Sequence, residues 1–82
     1  MHNDKKQYRE LFNTLRREIG EDLRQNRLLQ NMTLDEVYME TNILPKYIDL
    51  LECGKRFNID VLRHLAYFYR KKIKISLVDM EK

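Results

Sequence analysis

Residues 33–54, TLDEVYMETNILPKYIDLLECG, spell two short helices, a turn and a stop. Thr33 and Glu36 have the Thr-x-x-Glu spacing of a capping box, in which each side chain satisfies a backbone amide at a helix start. Val37 is then the first core-facing position. The helix is expected to end near Thr41, because Asn42 tolerates the left-handed conformation that a turn needs. Ile43 is the apolar residue inside the turn. Pro45 suits the first position of a second helix, where its missing N–H costs nothing. Ile48 and Leu51 form that helix's buried stripe, Tyr47 flanks it, and Gly54 is placed to end it.

Upstream, residues 4–30 have helical periodicity. Tyr8, Leu11, Phe12, Leu15, Ile19 and Leu23 recur at three- and four-residue steps. Asp4 at the start and Arg24 and Arg27 near the end match the helix dipole. Gly20 lies inside this run at a cost of roughly 1 kcal/mol against alanine. It marks either a close packing point or a break into two helices. The first half, residues 5–18, is either a dimerisation or partner helix or a segment that packs back on its own domain.

Downstream, Lys55, Arg56 and Phe57 form a short basic loop. Asn58 can cap a further helix that carries Ile59, Leu62, Leu65, Ala66 and Tyr69 on one side. Arg70, Lys71 and Lys72 end it. The period then changes: Lys72, Lys74 and Ser76 alternate with Ile73, Ile75 and Leu77. A short strand, an extended tail laid on the core and a short final helix around Leu77 all fit this pattern.

The chain has 82 residues, which predicts one domain with a single hydrophobic core. Three Gly and Pro residues in all argue for helices over a turn-rich β fold. Cys53 is alone, so no internal disulfide forms, which suits a reducing interior. No apolar run is long enough to span a bilayer, and the opening MHNDKKQYRE is too polar for a signal peptide. A cytoplasmic protein without membrane association is therefore expected.

The charge is unevenly spread. Residues 1–31 hold seven Lys/Arg and five Asp/Glu (+2), residues 32–52 one lysine and five acids (−4), and residues 53–82 eight bases and three acids (+5). A polyanion is drawn to the ends of the chain more than to its middle.

Catalytic chemistry is not indicated. His2 and His64 have no neighbours at metal-ligand spacing, and Cys53 has no CxxC partner. There is no Gly-rich phosphate loop, nucleophile elbow or HExxH. Asp35, Glu36 and Glu40 lie near a helix start, where acids serve capping and solvation. The expectation is a protein that is not an enzyme and holds neither metal nor cofactor.

From Ile19 to Val78 the chain resembles the Cro/λ repressor-like helix-turn-helix domains, the XRE family. The matching stretches are IGEDLRQNR, TLDEV, NI at the turn, YIDLLECGKR and LRHLA. The resemblance implies an all-α bundle of four to five helices over residues 19–78. Residues 1–18 would be an N-terminal helical extension, and the chain would close with a short extended C-terminal segment. It also implies that residues 45–53 are a recognition helix for the DNA major groove. Arg27 and Glu52 stand where the family pairs an arginine of its first helix with a glutamate of the recognition helix.

Base-reading positions fall on Leu44, Pro45, Lys46, Asp49 and Leu50. Lys46 is a donor to guanine or phosphate, Asp49 can accept from a cytosine amino group, and Leu44 and Leu50 can touch a thymine methyl. Lys55, Arg56 and Arg24 are the expected backbone contacts. Leu34 stands where many members have a phosphate-binding glutamine, and Tyr38 where a small residue lets the two helices approach. The loop before the last long helix is about one residue shorter than in the family.

The stretch TLDEVYMETNILPKYIDLLE is also similar to the cytoplasmic helix-turn-helix of RodZ-type cell-shape adaptors, in which this fold grips a protein filament. Two functions are therefore expected as alternatives. The first is a sequence-specific regulator that binds double-stranded DNA as a homodimer. The second is a protein-interaction module with a protein partner, using Leu28, Leu29, Leu34, Leu44 and Leu50.

Overall fold

A computed structural model describes residues 4–74, with side chains described from Gln7 onward. Four helices follow in order: α1 (Asp4–Leu29), α2 (Leu34–Thr41), α3 (Pro45–Glu52) and α4 (Ile59–Phe68). The fold is all-α, and the described residues hold the lower of the two expected helix numbers.

α1 runs unbroken through Gly20, so the glycine marks a packing point and not a break. A Cβ at Gly20 would lie 2.5 Å from the carbonyl oxygens of both Leu51 and Glu52. α1 thus rests its bare backbone on the end of α3. Its own end is closed by Asn31 in the left-handed conformation (φ 55°). There the Asn31 N–H donates to Leu28 O at 2.9 Å and the Met32 N–H to Arg27 O at 3.2 Å.

α2 starts at the capping box. The Glu36 N–H donates to Thr33 Oγ1 at 3.1 Å, and the Thr33 N–H donates to Glu36 Oε1 at 2.9 Å. Asn42 ends the helix at φ 63°, its N–H donating to Tyr38 O at 2.7 Å. The buried Thr41 hydroxyl donates to Val37 O at 2.8 Å and accepts from the Ile43 N–H at 3.2 Å, which ties the turn to the helix. Tyr38 is only half-buried. The helix buries Val37 and Thr41 instead, so an aromatic ring is accommodated where a small residue was expected.

α3 begins at Pro45 with no side-chain cap, since its N-cap is Leu44. It ends at Gly54 (φ 70°), where the Lys55 N–H returns to Leu50 O at 3.0 Å. A Cβ at Gly54 would also lie 3.0 Å from Arg17 Cα, so this turn is tucked against α1. α4 is capped by Asn58, whose side chain accepts from the Asp60 and Val61 N–H groups at 3.0 and 3.1 Å. Arg70 in the left-handed region (φ 57°) closes it, with the Lys71 N–H donating to Ala66 O at 2.8 Å.

Leu23, Val37, Ile48, Leu51, Leu62, Leu65 and Tyr69 form one buried cluster to which all four helices contribute or abut. α3 packs against each of the other three helices and sits at the centre of the assembly. The overall extents are 47 × 23 × 18 Å, and the long dimension reflects α1, whose 26 residues span about 39 Å. Further toward the start of α1, Glu10, Asn13 and Thr14 border a groove with Cys53 and Gly54. In this half of the helix, Tyr8, Leu11 and Phe12 are exposed.

Residues 71–74 leave α4 as irregular, exposed chain. Lys72, Ile73 and Lys74 form no strand, and the rest of the alternating segment, Ile75 to Leu77, lies outside the described residues. No described helix is long and apolar enough to cross a membrane.

Candidate nucleic-acid interface

The interface can be built from α3 outward. At 100° per residue its inner side is Ile48, Leu51 and Glu52, all buried. Its outer side is then Lys46, Asp49, Leu50 and Cys53. Lys46, Asp49 and Cys53 are exposed, and Leu50 is half-buried. Of the five positions expected to read bases, Lys46, Asp49 and Leu50 share this outward side, whereas Leu44 and Pro45 do not.

Glu52 fixes the orientation of α3. Its carboxylate accepts a fork of two hydrogen bonds from Arg27, Nε at 2.8 Å and Nη2 at 2.9 Å. Arg27 Nη1 also donates to Met32 O at 2.9 Å, binding the same guanidinium to the α1–α2 loop. The Glu52 hydrogen bond, followed by the Glu52 charge, outweighs burial and raises the Arg27 pKa above its ordinary value. The pair expected from the family resemblance is present, and it is structural. Three of the five guanidinium N–H donors are used within the domain.

The basic groups are spread along α3. Lys46 stands at its first turn, with its ammonium 5.5 Å from the centroid of the Tyr47 ring. Lys55 and Arg56 follow its end, and their N–H groups both donate to Leu50 O, at 3.0 and 3.3 Å. The helical residues Tyr47 to Glu52 and the turn at Cys53 and Gly54 lie between the two sites. Arg24 stands apart from both. It lines a cleft between α1 and α3 with Arg17, Arg27, Glu21, Asp49, Glu52 and Cys53, where acids and arginines alternate. Asp49 is also near the Cys53 thiol, Sγ to Oδ1 at 3.7 Å. Outward, α3 thus offers one lysine and one aspartate, flanked by a basic loop.

The five leucines expected as a protein-binding patch do not form one surface. Leu28 and Leu34 line an open groove with Arg27, Met32, Thr33 and Pro45, at the meeting point of the α1 end and the α2 and α3 starts. Leu28 and Leu44 are each nearly half exposed, whereas Leu34 is half-buried against the core. Leu29 is almost fully exposed. Leu50 turns to a different site, a cavity of about 240 Å³ lined by Tyr47, Leu51, Arg56, Phe57, Asn58 and Val61.

That cavity was not legible in the sequence. In the sequence Phe57 is only part of a basic loop and Tyr47 only a flank of the buried stripe. Their shared boundary depends on Lys55 and Arg56 folding back onto Leu50, a bond pattern with no spacing signature. Comparison with known proteins adds no relative: no family model, no curated protein and no solved structure matches the chain.

Proposed function

We propose that the chain is a DNA-binding regulator of the helix-turn-helix type, acting in the cytoplasm as a homodimer, with α3 entering the major groove. The observation that carries this reading is the presentation of α3. Its inner side is anchored by Ile48, Leu51 and the Arg27–Glu52 fork, while Lys46, Asp49 and Leu50 are held outward on one side. Lys46 would reach a guanine or a phosphate from the first turn. Lys55 and Arg56 would hold the backbone at the other end of the helix. Arg24, bordered by Glu21 and Asp49, would be the weakest contact. Asp49 restricts the approach of phosphate and would favour a cytosine edge.

The second reading is a protein-interaction module. It is favoured by the groove of Leu28, Met32, Leu34 and Pro45, which lies at the helix starts where a DNA-binding member presents polar groups.

Fluorescence anisotropy with random and genomic duplexes over a salt series tests the first reading. Each phosphate contact should contribute a slope of about −0.9 in log affinity against log salt. Lys46→Ala should lower affinity and either reduce that slope by about 1 or relax the preference for one site. No binding at low salt, or a Lys46→Ala protein with undiminished affinity and site preference, would overturn it and leave the Leu28–Pro45 groove as the better candidate.

A further inference from the structure

The cavity beside Leu50 lies between α3, the basic loop and the first turn of α4. Tyr47, Leu50 and Leu51 reach it from α3, where i, i+3 and i+4 positions share a flank. Leu51 is buried and Val61 packs against the core, so these two form its floor. Tyr47 and Phe57 are 40% and 41% exposed, and their rings border its mouth. The walls are held by backbone bonds. The Lys55 and Arg56 N–H groups donate to Leu50 O, and Asn58 caps α4. The cavity is therefore formed before any ligand arrives.

Its polar groups are chemically one-sided. Arg56 carries five N–H donors and no acceptor. Among the described residues it has no carboxylate within ion-pair distance, since the one ion pair joins Arg27 to Glu52. Asn58 spends its side-chain oxygen on the Asp60 and Val61 N–H groups, which leaves its amide nitrogen as a donor. Asp60, in the same turn, is exposed and is not part of the lining, so no carboxylate lines the cavity. A ligand must therefore bring acceptors to the rim and an apolar body to the floor.

We propose that the cavity is a binding site for a small aromatic monocarboxylate, with its ring among Tyr47, Phe57, Leu51 and Val61 and its carboxylate on the Arg56 fork. Size supports this class. An apolar cavity of about 150 Å³ holds benzene. At about 240 Å³ this one has room for a ring and one small polar group, and it is smaller than sites for drug-sized ligands, which start at about 300 Å³. An inorganic anion would leave the apolar floor unused. The planar guanidinium matches a carboxylate in two parallel hydrogen bonds.

The consequence for regulation rests on the reading of α3 as a DNA-binding helix. Leu50 and Arg56 belong both to the cavity and to the expected DNA contacts. A bound carboxylate neutralises Arg56 and takes its donors away from phosphate. The ligand and the duplex then oppose each other, and each weakens the other by the same factor.

Nuclear magnetic resonance titration of the full chain with benzoate tests the site, with benzamide as the neutral isostere. Benzoate should give saturable amide shifts centred on Leu50, Arg56, Phe57 and Val61, at a Kd of about 1 mM for a ligand so small. Benzamide should bind at least about tenfold more weakly. Arg56→Gln should abolish the preference for benzoate, and Phe57→Ala should weaken both ligands. Both variants should keep the wild-type melting temperature, because both side chains are exposed. No saturable shift up to about 10 mM, ten times the expected Kd, would overturn the proposal. Equal binding of benzamide, or an Arg56→Gln protein that still prefers benzoate, would overturn it as well. In duplex anisotropy, saturating benzoate should lower affinity at least about fivefold against sodium chloride of equal concentration. Undiminished DNA affinity with the site saturated would overturn the regulatory consequence. The titration needs no DNA, so a chain that binds no duplex at all would refute the regulator reading while the benzoate shifts still decide the site.

Discussion

Tyr69 is the last buried residue of the core, and among the described residues its hydroxyl is the one buried side-chain group without a hydrogen-bond partner. Burial first, and then the Glu52 carboxylate, push its pKa up to about 12, against a smaller lowering by Arg27. The neutral phenol is therefore favoured in the folded protein. That preference is fully present below pH 10 and is lost as pH rises toward 12. Tyr69→Phe removes a polar group that gains nothing by burial, so stability at pH 7 should be unchanged or higher by about 1 kcal/mol. The variant should also lose less stability than the wild type between pH 10 and 12. Urea unfolding of both proteins at pH 7 and pH 11 would check this. A clear loss at pH 7 would mean that the hydroxyl has a partner, such as a buried water.

At the scale of elements, the contact of α1 with α3 is the most demanding. Gly20 allows two helix backbones to meet, and the Arg27–Glu52 fork fixes their register two turns further along. Gly20→Ala would gain about 1 kcal/mol in helix propensity. Its Cβ would nevertheless face two carbonyl oxygens at 2.5 Å, which are main-chain atoms and cannot swing aside. Separation of α1 from α3 should make the variant less stable by about 1–2 kcal/mol net. A fall in the thermal midpoint would confirm the sign, and a rise would show that the helices can part without loss.

The contrast between these two features shows which parts of the fold could be read directly from the chain. Thr33, Glu36, Asn42, Pro45, Gly54 and Asn58 act within a few residues of themselves, so their roles were legible locally. Gly20 was open to two readings because its neighbours come from residues 51 and 52, and nothing in its own helix names them. The Arg27–Glu52 pair spans 25 residues and was anticipated from the family resemblance, not from spacing. The outward set on α3 was anticipated in the same way. The half-buried state of Leu50 was not, because the Phe57 loop that covers it is shaped by backbone bonds. The exposed state of the α1 start was equally open, since an amphipathic stripe reads the same whether or not its own domain covers it.

Across the whole molecule, a single buried cluster must hold four helices together. Ile48 is fully buried at its centre on α3, the helix that touches all the others. Ile48→Ala should cost about 2–5 kcal/mol. Small domains have a total stability of about 5–15 kcal/mol, so that loss would leave little folded margin. Lys46→Ala, on the outward side of the same helix, should change stability by less than about 0.5 kcal/mol. Denaturant midpoints for the two variants would check the difference. Similar losses in both would mean that the outer side of α3 helps to hold the fold together.

The capping box and the Asn42 turn also bear on the order of events as the chain folds. Their bonds close over four residues or fewer, so α2 and its turn can organise without waiting for any long loop to close. The Arg27–Glu52 fork must wait until residues 25 apart have met. The segment that defines the motif is thus suited to form early, and the ion pair that orients α3 to fasten it afterwards.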